Sequence, residues 1–441
     1  MSGQFKLLSE KRFLPLFITQ FLGAFNDNVL KNAMVILITF QGARMTAADP
    51  ALLVNACAGI FILPFFLFSA TSGQIADKYE KAKLIRLVKV LEICIMIIAA
   101  VGFWLPSLPW LLISLFLMGL HSTFFGPIKY SILPQHLHPD ELIGGNGLIE
   151  AGTFLAILLG TILGGTLIGL GDNGRHYAAA TCFVIAVLGY LASRNVPAAA
   201  APEPTMKINW NPLSETWRNL VFAKQNRAVF LSILGISWFW FYGAVFLSQF
   251  PAFAKNSLGG GEGVVTLLLA IFSVGIGLGS LLCEKMSGGD VEPGLVPLGS
   301  IGLTLFAVDL YFSAPAGTTA SNLSAGEFLA QAGSWHVLID LVLIGVFGGF
   351  YCVPLYTLMQ TRSEASHRSR IIAANNIVNA LFMVVASLMA IALLGAGLSV
   401  PQLFLVTAIL NAFIAAYIYS VVPEFINRFF AWLSRKPADK Q

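Results

Sequence analysis

The amino-acid sequence predicts an all-α membrane protein of twelve transmembrane helices arranged as two six-helix halves. Composition is the first reason: of 441 residues, 57% are hydrophobic and only 11% charged, whereas an average soluble domain is about 25% charged. A soluble globular class is thereby excluded. The second reason is length, because twelve apolar runs come close to the ~20 residues that a helix needs to cross hydrocarbon. The third is an internal repeat. A shift of 229 residues lays Leu142-Ile143-Gly144-Gly145-Asn146 over Ile371-Ile372-Ala373-Ala374-Asn375 and brings Glu150 onto Asn379, each at the start of a fifth span. Lys129-Tyr130 and Leu355-Tyr356 likewise end the two fourth spans.

The expected spans are 13–40, 50–71, 84–105, 108–128, 145–171, 176–194, 228–254, 263–284, 295–314, 335–358, 371–396 and 401–422. The basic start, Met1 to Arg12, precedes an apolar run without a small-x-small cleavage site, so the first span is a retained helix and not a signal peptide. An even number of spans puts both termini on one side. Of the lysines and arginines, 22 fall on that side and three, Arg44, Arg175 and Lys255, on the other, with Lys31 inside the membrane. The positive-inside rule then places both termini in the cytoplasm.

The first span carries a polar stripe. With Asp27 at zero on a wheel of 3.6 residues per turn, Gln20 lies at about 20°, Lys31 at about 40° and Asn28 at about 100°, while Asn26 faces a neighbouring helix. Charges at that depth cost roughly 2.5–3.5 kcal/mol each on insertion scales, so they are kept for a partner or a task. Asp27 and Lys31 can neutralise each other at i, i+4; the same pair can open to receive a zwitterionic head group.

Gly73-Gln74-Ile75-Ala76-Asp77-Lys78-Tyr79-Glu80-Lys81, after the second span, resembles the loop signature of the major facilitator superfamily. A glycine there lets two helices approach, and an aspartate can cap a neighbouring helix and pair with a basic residue. Gly73, Asp77, Lys78 and Lys81 are therefore the expected conformational latch; the second half keeps only a degraded copy around Glu284-Lys285. In the third span Glu92, three residues from Lys89, is expected to form a local pair.

The fourth span closes with Phe125-Gly126-Pro127-Ile128-Lys129-Tyr130, and the fifth opens with Asn146, Glu150 and Thr153 on one face. Lys129 and Glu150 are placed to meet across these helices, and Lys129 has a second reading as an interfacial anchor. Asp27, Lys31, Lys129 and Glu150 sum to zero formal charge, an economy for groups in low dielectric. Gly160 and Gly164, and again Gly345 and Gly349, have the small-xxx-small spacing of closely packed helices. The former also resembles the fifth-helix antiporter signature of drug-efflux members, without its proline.

Residues 195–227 form the expected cytoplasmic linker between halves 1–194 and 228–422. It opens proline-rich, then presents Asn211 as an N-cap, Pro212 at the first helical position and apolar Leu213, Trp217, Leu220 and Val221, predicting a short amphipathic helix on the inner leaflet. The tail 423–441, with Phe425, Ile426, Phe429, Phe430 and Arg428, is expected to anchor likewise. In the seventh span Trp238, Trp240 and Tyr242 stand where the first has its charges, and Asp309 and Asp340 are expected towards the periplasmic end. A site charged on one side and aromatic on the other suits an amphiphile; packing is the other reading of the aromatic stripe.

Candidate substrate-binding or gating residues are thus Gln20, Asp27, Asn28, Lys31, Lys129, Asn146, Glu150, Trp238, Asn375 and Asn379. Parallel six-helix repeats place such a site near the midplane, with access alternating as one half rocks on the other. Cys57, Cys94, Cys182, Cys283 and Cys352 lie in apolar runs without CxxC or metal-like spacing and are expected to act as small hydrophobes. No metal, cofactor, catalytic residue or nucleic-acid partner is expected. His136-Leu137-His138-Pro139-Asp140 resembles an acyltransferase His/Asp motif with a gap one residue too short, so the chain is not expected to be an enzyme.

At Phe21-Leu22-Gly23-Ala24-Phe25-Asn26-Asp27-Asn28, Pro127-Ile128-Lys129-Tyr130 and Asn146-Gly147-Leu148-Ile149-Glu150-Ala151 the sequence is similar to the bacterial lysophospholipid transporters of the major facilitator superfamily. The resemblance implies the major facilitator fold and a monomer in the bacterial inner membrane. It also implies transfer of lysophospholipids from the outer to the inner leaflet, with Asp27, Lys129 and Glu150 at the head group. Lys31 looks closer to members fused to an acyltransferase domain; here the chain ends 19 residues after the last expected span, so a separate acyltransferase is the expected partner. The rival is a proton-coupled transporter of a small solute or drug, with Asp27 or Glu150 as proton carrier.

Overall fold

The structure, a computed structural model, describes residues 3–41, 50–314 and 322–434. Twelve long helices occupy the expected places: α1 (Leu14–Gln41), α2 (Pro50–Lys78), α3 (Lys81–Trp104), α4 (Leu108–His136), α5 (Leu142–Ile168), α6 (Gly174–Ser193), α8 (Arg227–Asn256), α9 (Glu262–Ser287), α10 (Leu295–Ser313), α12 (Ala332–Arg362), α13 (Arg368–Gly395) and α14 (Val400–Val421). Three short ones, α7 (Pro212–Gln225), α11 (Ala325–Ala330) and α15 (Glu424–Leu433), lie between or after them. Among the described residues eleven helices are long and apolar enough to cross a membrane; α3, which opens on Lys81, Lys83 and Arg86, is the remaining long helix.

Several helices outrun their expected spans. Helix α4 continues to His136 and α2 to Lys78, because hydropathy marks where hydrocarbon ends, while backbone hydrogen bonding carries the helix on. Capping residues set the helix starts. Glu80 accepts from Ala82 N and Lys83 N at 2.8 and 2.9 Å to open α3, and Ser399 with Gln402 forms a capping box at α14. Asn211 accepts from Leu213 N and Ser214 N, with Pro212 at N1, so the linker helix forms as α7.

The chain divides into two compact units. One comprises Met1–His138, Leu155–Asn226 and Ser363–Ala380; the other Pro139–Phe154, Arg227–Arg362 and Leu381–Gln441. The repeat-related helices α5 and α13 are thus each split between units. In the first unit Val29, Ala33 and Leu37 of α1 pack with Ile95 and Phe103 of α3, Leu111 and Leu115 of α4 and Cys182 and Ile185 of α6. Lipid offers no hydrophobic drive between helices, so close fit supplies the attraction. A Cβ on Gly160 would stand 2.6 Å from Phe25 O, and one on Gly164 2.6 Å from Val29 O, which lets α5 lie directly on α1.

The second unit has the same device between α9 and α12, where a Cβ on Gly345 would stand 2.6 Å from Phe272 O. Its core is aromatic: Phe246 stacks on Tyr242 and Phe404 with ring centroids 4.7 and 4.2 Å apart. Four cysteines are buried as expected, and Cys94 is exposed. The tail is more than an amphipathic anchor. Helix α15 docks by polar contacts as well: Arg362 bonds Glu424 (2.8 Å), Arg428 bonds Glu292 (3.0 Å) and Trp432 Nε1 donates to Met286 O (2.9 Å).

Candidate functional site

Helix α1 carries the charged stripe into the first unit. Lys31 Nζ stands 3.6 Å from Asp27 Oδ2, their side chains 30% and 13% exposed, and lies 4.3 Å above the centre of the Phe61 ring of α2. The pair is therefore half-open, with one flank aromatic. Gln20 is buried on the same stripe. Asn28 turns back on its own helix, donating to Ala24 O at 2.8 Å, and Asn32 reaches Thr161 of α5 at 3.1 Å.

The opposite side of α1 meets a network that the sequence showed only in part. Asn26 Nδ2 donates to Glu92 Oε1 at 2.7 Å, Lys89 Nζ to Glu92 Oε2 at 2.6 Å, and His121 Nε2 lies 3.2 Å from the same oxygen. All four side chains are buried. The Lys89–Glu92 pair is local as expected, but Asn26 and His121 make it a bond joining α1, α3 and α4. Asn26 facing away from the stripe was the one signal for it; nothing in the sequence singles out His121.

Near the helix ends on the side of the termini, α2 meets the start of α13. A Cβ on Gly73 would stand 2.7 Å from Ala373 Cβ and 2.9 Å from Arg370 Cα, so only glycine admits this approach. Asp77 Oδ1 accepts from Ser369 N (3.1 Å), and Oδ2 from Arg370 N (3.3 Å) and Nε (3.2 Å), all buried. One carboxylate thus caps the N-terminus of α13 and pairs with a guanidinium. Lys81 is also buried; burial pushes its ammonium down to about 8, and its backbone N–H donates to Ala199 O at 3.1 Å. Lys78 lies over the exposed Tyr79 ring at 5.6 Å. The residues that answer Asp77, Ser369 and Arg370, lie nearly 300 positions away.

Lys129 belongs to the first unit, 4.4 Å from the centre of the Tyr130 ring, and Glu150, buried, to the second. Asn146 is fully buried and exchanges amide bonds with Gln360 of α12, Nδ2 to Oε1 at 2.6 Å and Nε2 to Oδ1 at 3.0 Å, with Thr357 Oγ1 at 3.2 Å. It is a pin between α5 and α12. Asn375 and Asn379 are buried on α13, and Asn375 has no hydrogen-bond partner among the described residues.

In the second unit Trp238 donates its indole N–H to Asn411 of α14 at 2.7 Å and stacks on Phe241 at 4.6 Å. Its polar handle is engaged in helix packing. Trp240, two residues on, donates to Tyr356 at 3.2 Å and stacks with Phe154 of α5 at 6.4 Å. Periodicity alone did not separate these two indoles. Asp309, His336 and Asp340 are the one His/Asp group among the described residues with metal-compatible spacing, within 4.8 Å. Within it His336 Nε2 lies 2.9 Å from Asp309 Oδ2 and 3.9 Å from Asp340 Oδ2, and Asp340 also accepts from Ser313 at 3.0 Å.

This arrangement of long apolar helices has counterparts in known proteins. The family model of the Major Facilitator Superfamily matches residues 16–387. The lysophospholipid transporter LplT of Serratia proteamaculans is 26% identical over 363 residues, covering 81% of this chain and 82% of the relative. LplT of Pectobacterium carotovorum is 29% identical over 353 residues, covering 79% and 78%. Among solved structures, the human organic anion transporter MFSD10 superposes with a TM-score of 0.69 at 12% identity, over 96% of this chain and 99% of that one. The fucose:proton symporter FucP in its outward conformation gives 0.68 at 12%, over 93% and 99%. With its family model matched over residues 16–387, most of its length, the chain belongs to the major facilitator superfamily of membrane transporters.

Proposed function

We propose that this protein transfers lysophospholipids, of the lysophosphatidylethanolamine type, from the outer to the inner leaflet of the bacterial cytoplasmic membrane. A separate acyltransferase then restores the second chain. The half-open Asp27–Lys31 pair beside Phe61 carries the reading. It offers a cation to the phosphate and an anion to the ammonium of a zwitterionic head group, and the relatives named as lysophospholipid transporters support it. By the same resemblance Lys129 and Glu150 are further head-group residues.

Access alternates by making and breaking contacts between the two sequence halves at the cytoplasmic ends. Asp77 to Ser369 and Arg370 is one such latch and Asn146 to Gln360 another. Both must part for the inner leaflet to be reached. Proteoliposomes bearing the protein are expected to move labelled lysophosphatidylethanolamine between leaflets faster than protein-free vesicles. Asp27→Asn is expected to slow transfer roughly tenfold or more, since a hydrogen bond to a charged group contributes ~1.5–3 kcal/mol and ~1.4 kcal/mol is a factor of ten. Equal rates with and without protein would overturn the proposal; transfer abolished by collapsing the proton gradient would favour the proton-coupled reading.

A further inference from the structure

Helix α7 presents two unlike faces. Leu213, Trp217 and Val221, at i, i+4 and i+8, are 82%, 67% and 42% exposed, and Trp210 just before the helix 72%. On the other side Glu215, Asn219 and Ala223 are buried. Phe222, at the edge of that inner face, meets His367 edge-on with centroids 4.5 Å apart and lies 5.4 Å from the guanidinium of Arg370. Arg370 is the cation bound by Asp77.

The exposed stripe is bordered by Lys207, Arg218, Lys224 and Arg227, and the single carboxylate between 206 and 227, Glu215, is turned inward. Tryptophan and leucine bordered by cations, on a helix between two spans, match the head-group region of a bilayer with anionic lipid. The linker is also fastened to the latch. Gln74 of α2 donates to Asn209 O at 2.9 Å and accepts from Asn209 N at 2.7 Å, and Glu203 N donates to Asp77 O at 2.9 Å.

We propose that the Trp210–Leu213–Trp217–Val221 face of α7 seats on the anionic phospholipid surface on the side of the termini, and that this seating braces the Asp77–Arg370 contact through Phe222. The leaflet that receives α7 then sets how readily the latch opens. The proposal rests on the latch reading above and is independent of which molecule is transported.

The test uses the full chain in phosphatidylethanolamine vesicles with and without phosphatidylglycerol. A bimane probe on Leu213→Cys, in a Cys94→Ser background, is expected to be quenched by brominated lipid and shielded from aqueous iodide, more so with phosphatidylglycerol. A probe open to iodide would overturn the proposal, as would one shielded but not quenched by brominated lipid, which assigns the face to a protein partner or a second copy. Hydrogen exchange reads the latch without any transport measurement. Trp217→Glu and Phe222→Ala are each expected to speed exchange at the Ser369 and Arg370 amides several-fold while residues 324–334 stay unchanged. Unaltered exchange in Phe222→Ala would sink the bracing step.

Discussion

Single residues show where side-chain chemistry was legible and where it was hidden. Asp27 and Lys31 stood out because a charge in an apolar run is costly, and their four-residue spacing brings them within reach of the 3.6 Å contact seen in the fold. Glu92 was legible only to its neighbour Lys89, since Asn26 and His121 reach it from other helices. A buried ion pair broken on one side leaves an uncompensated charge, so Glu92→Gln is expected to cost about 3–5 kcal/mol of stability. The pairwise replacement Lys89→Met with Glu92→Leu is expected to recover most of that loss. Thermal unfolding in detergent measures both, and a wild-type melting temperature for Glu92→Gln would contradict an ion-paired cluster. The same limit explains Trp238 and Trp240: sequence assigns both to an aromatic run, and only packing decides that one indole N–H meets Asn411 and the other Tyr356.

The twelve long helices were predicted in number and order, with some ends misjudged where a helix runs on past its apolar stretch, as at α2 and α4, and the short α11 not foreseen. Helix α7 was readable in full because its N-cap, proline and apolar spacing are local signals. The polar docking of α15 was not, because Glu292, Arg362 and Met286 are distant in sequence. Hydrogen bonds from Arg362 hold the Glu424 carboxyl below its ordinary value of 4.5. A carboxyl lowered in the folded state stabilises above its unfolded pKa and loses that contribution as pH falls. The protection of α15 amides, their exchange relative to the unstructured rate at the same pH, is therefore expected to fall as pH drops below about 4.5, and modestly, because the pair is partly exposed and screened. Glu424→Gln is expected to remove this pH dependence; a pH-dependent variant would show that another group holds the helix.

At the scale of the whole molecule, polar contacts join the two sequence halves inside each unit: Asp77 with Ser369 and Arg370, and Ser131 with Ser369, in the first, and Asn146 with Gln360 and Thr357 in the second. The Asn146 and Gln360 side chains bond each other reciprocally, so Asn146→Ala and Gln360→Ala are expected to be non-additive, coupled by ~0.5–3 kcal/mol as for residues in contact. A double-mutant cycle on unfolding measures this, and additivity within error would show that the amide pair does not form. The sequence by itself determined the membrane class, the twelve spans, the repeat and the charged stripe, because these follow from hydropathy, spacing and the cost of charge in hydrocarbon, all local quantities. Only the tertiary structure decided which residues answer Asp77, Glu92 and Asn146. Those partners sit tens to hundreds of positions away, and a polar group buried in a membrane protein is satisfied by whichever donor packing brings within hydrogen-bond reach.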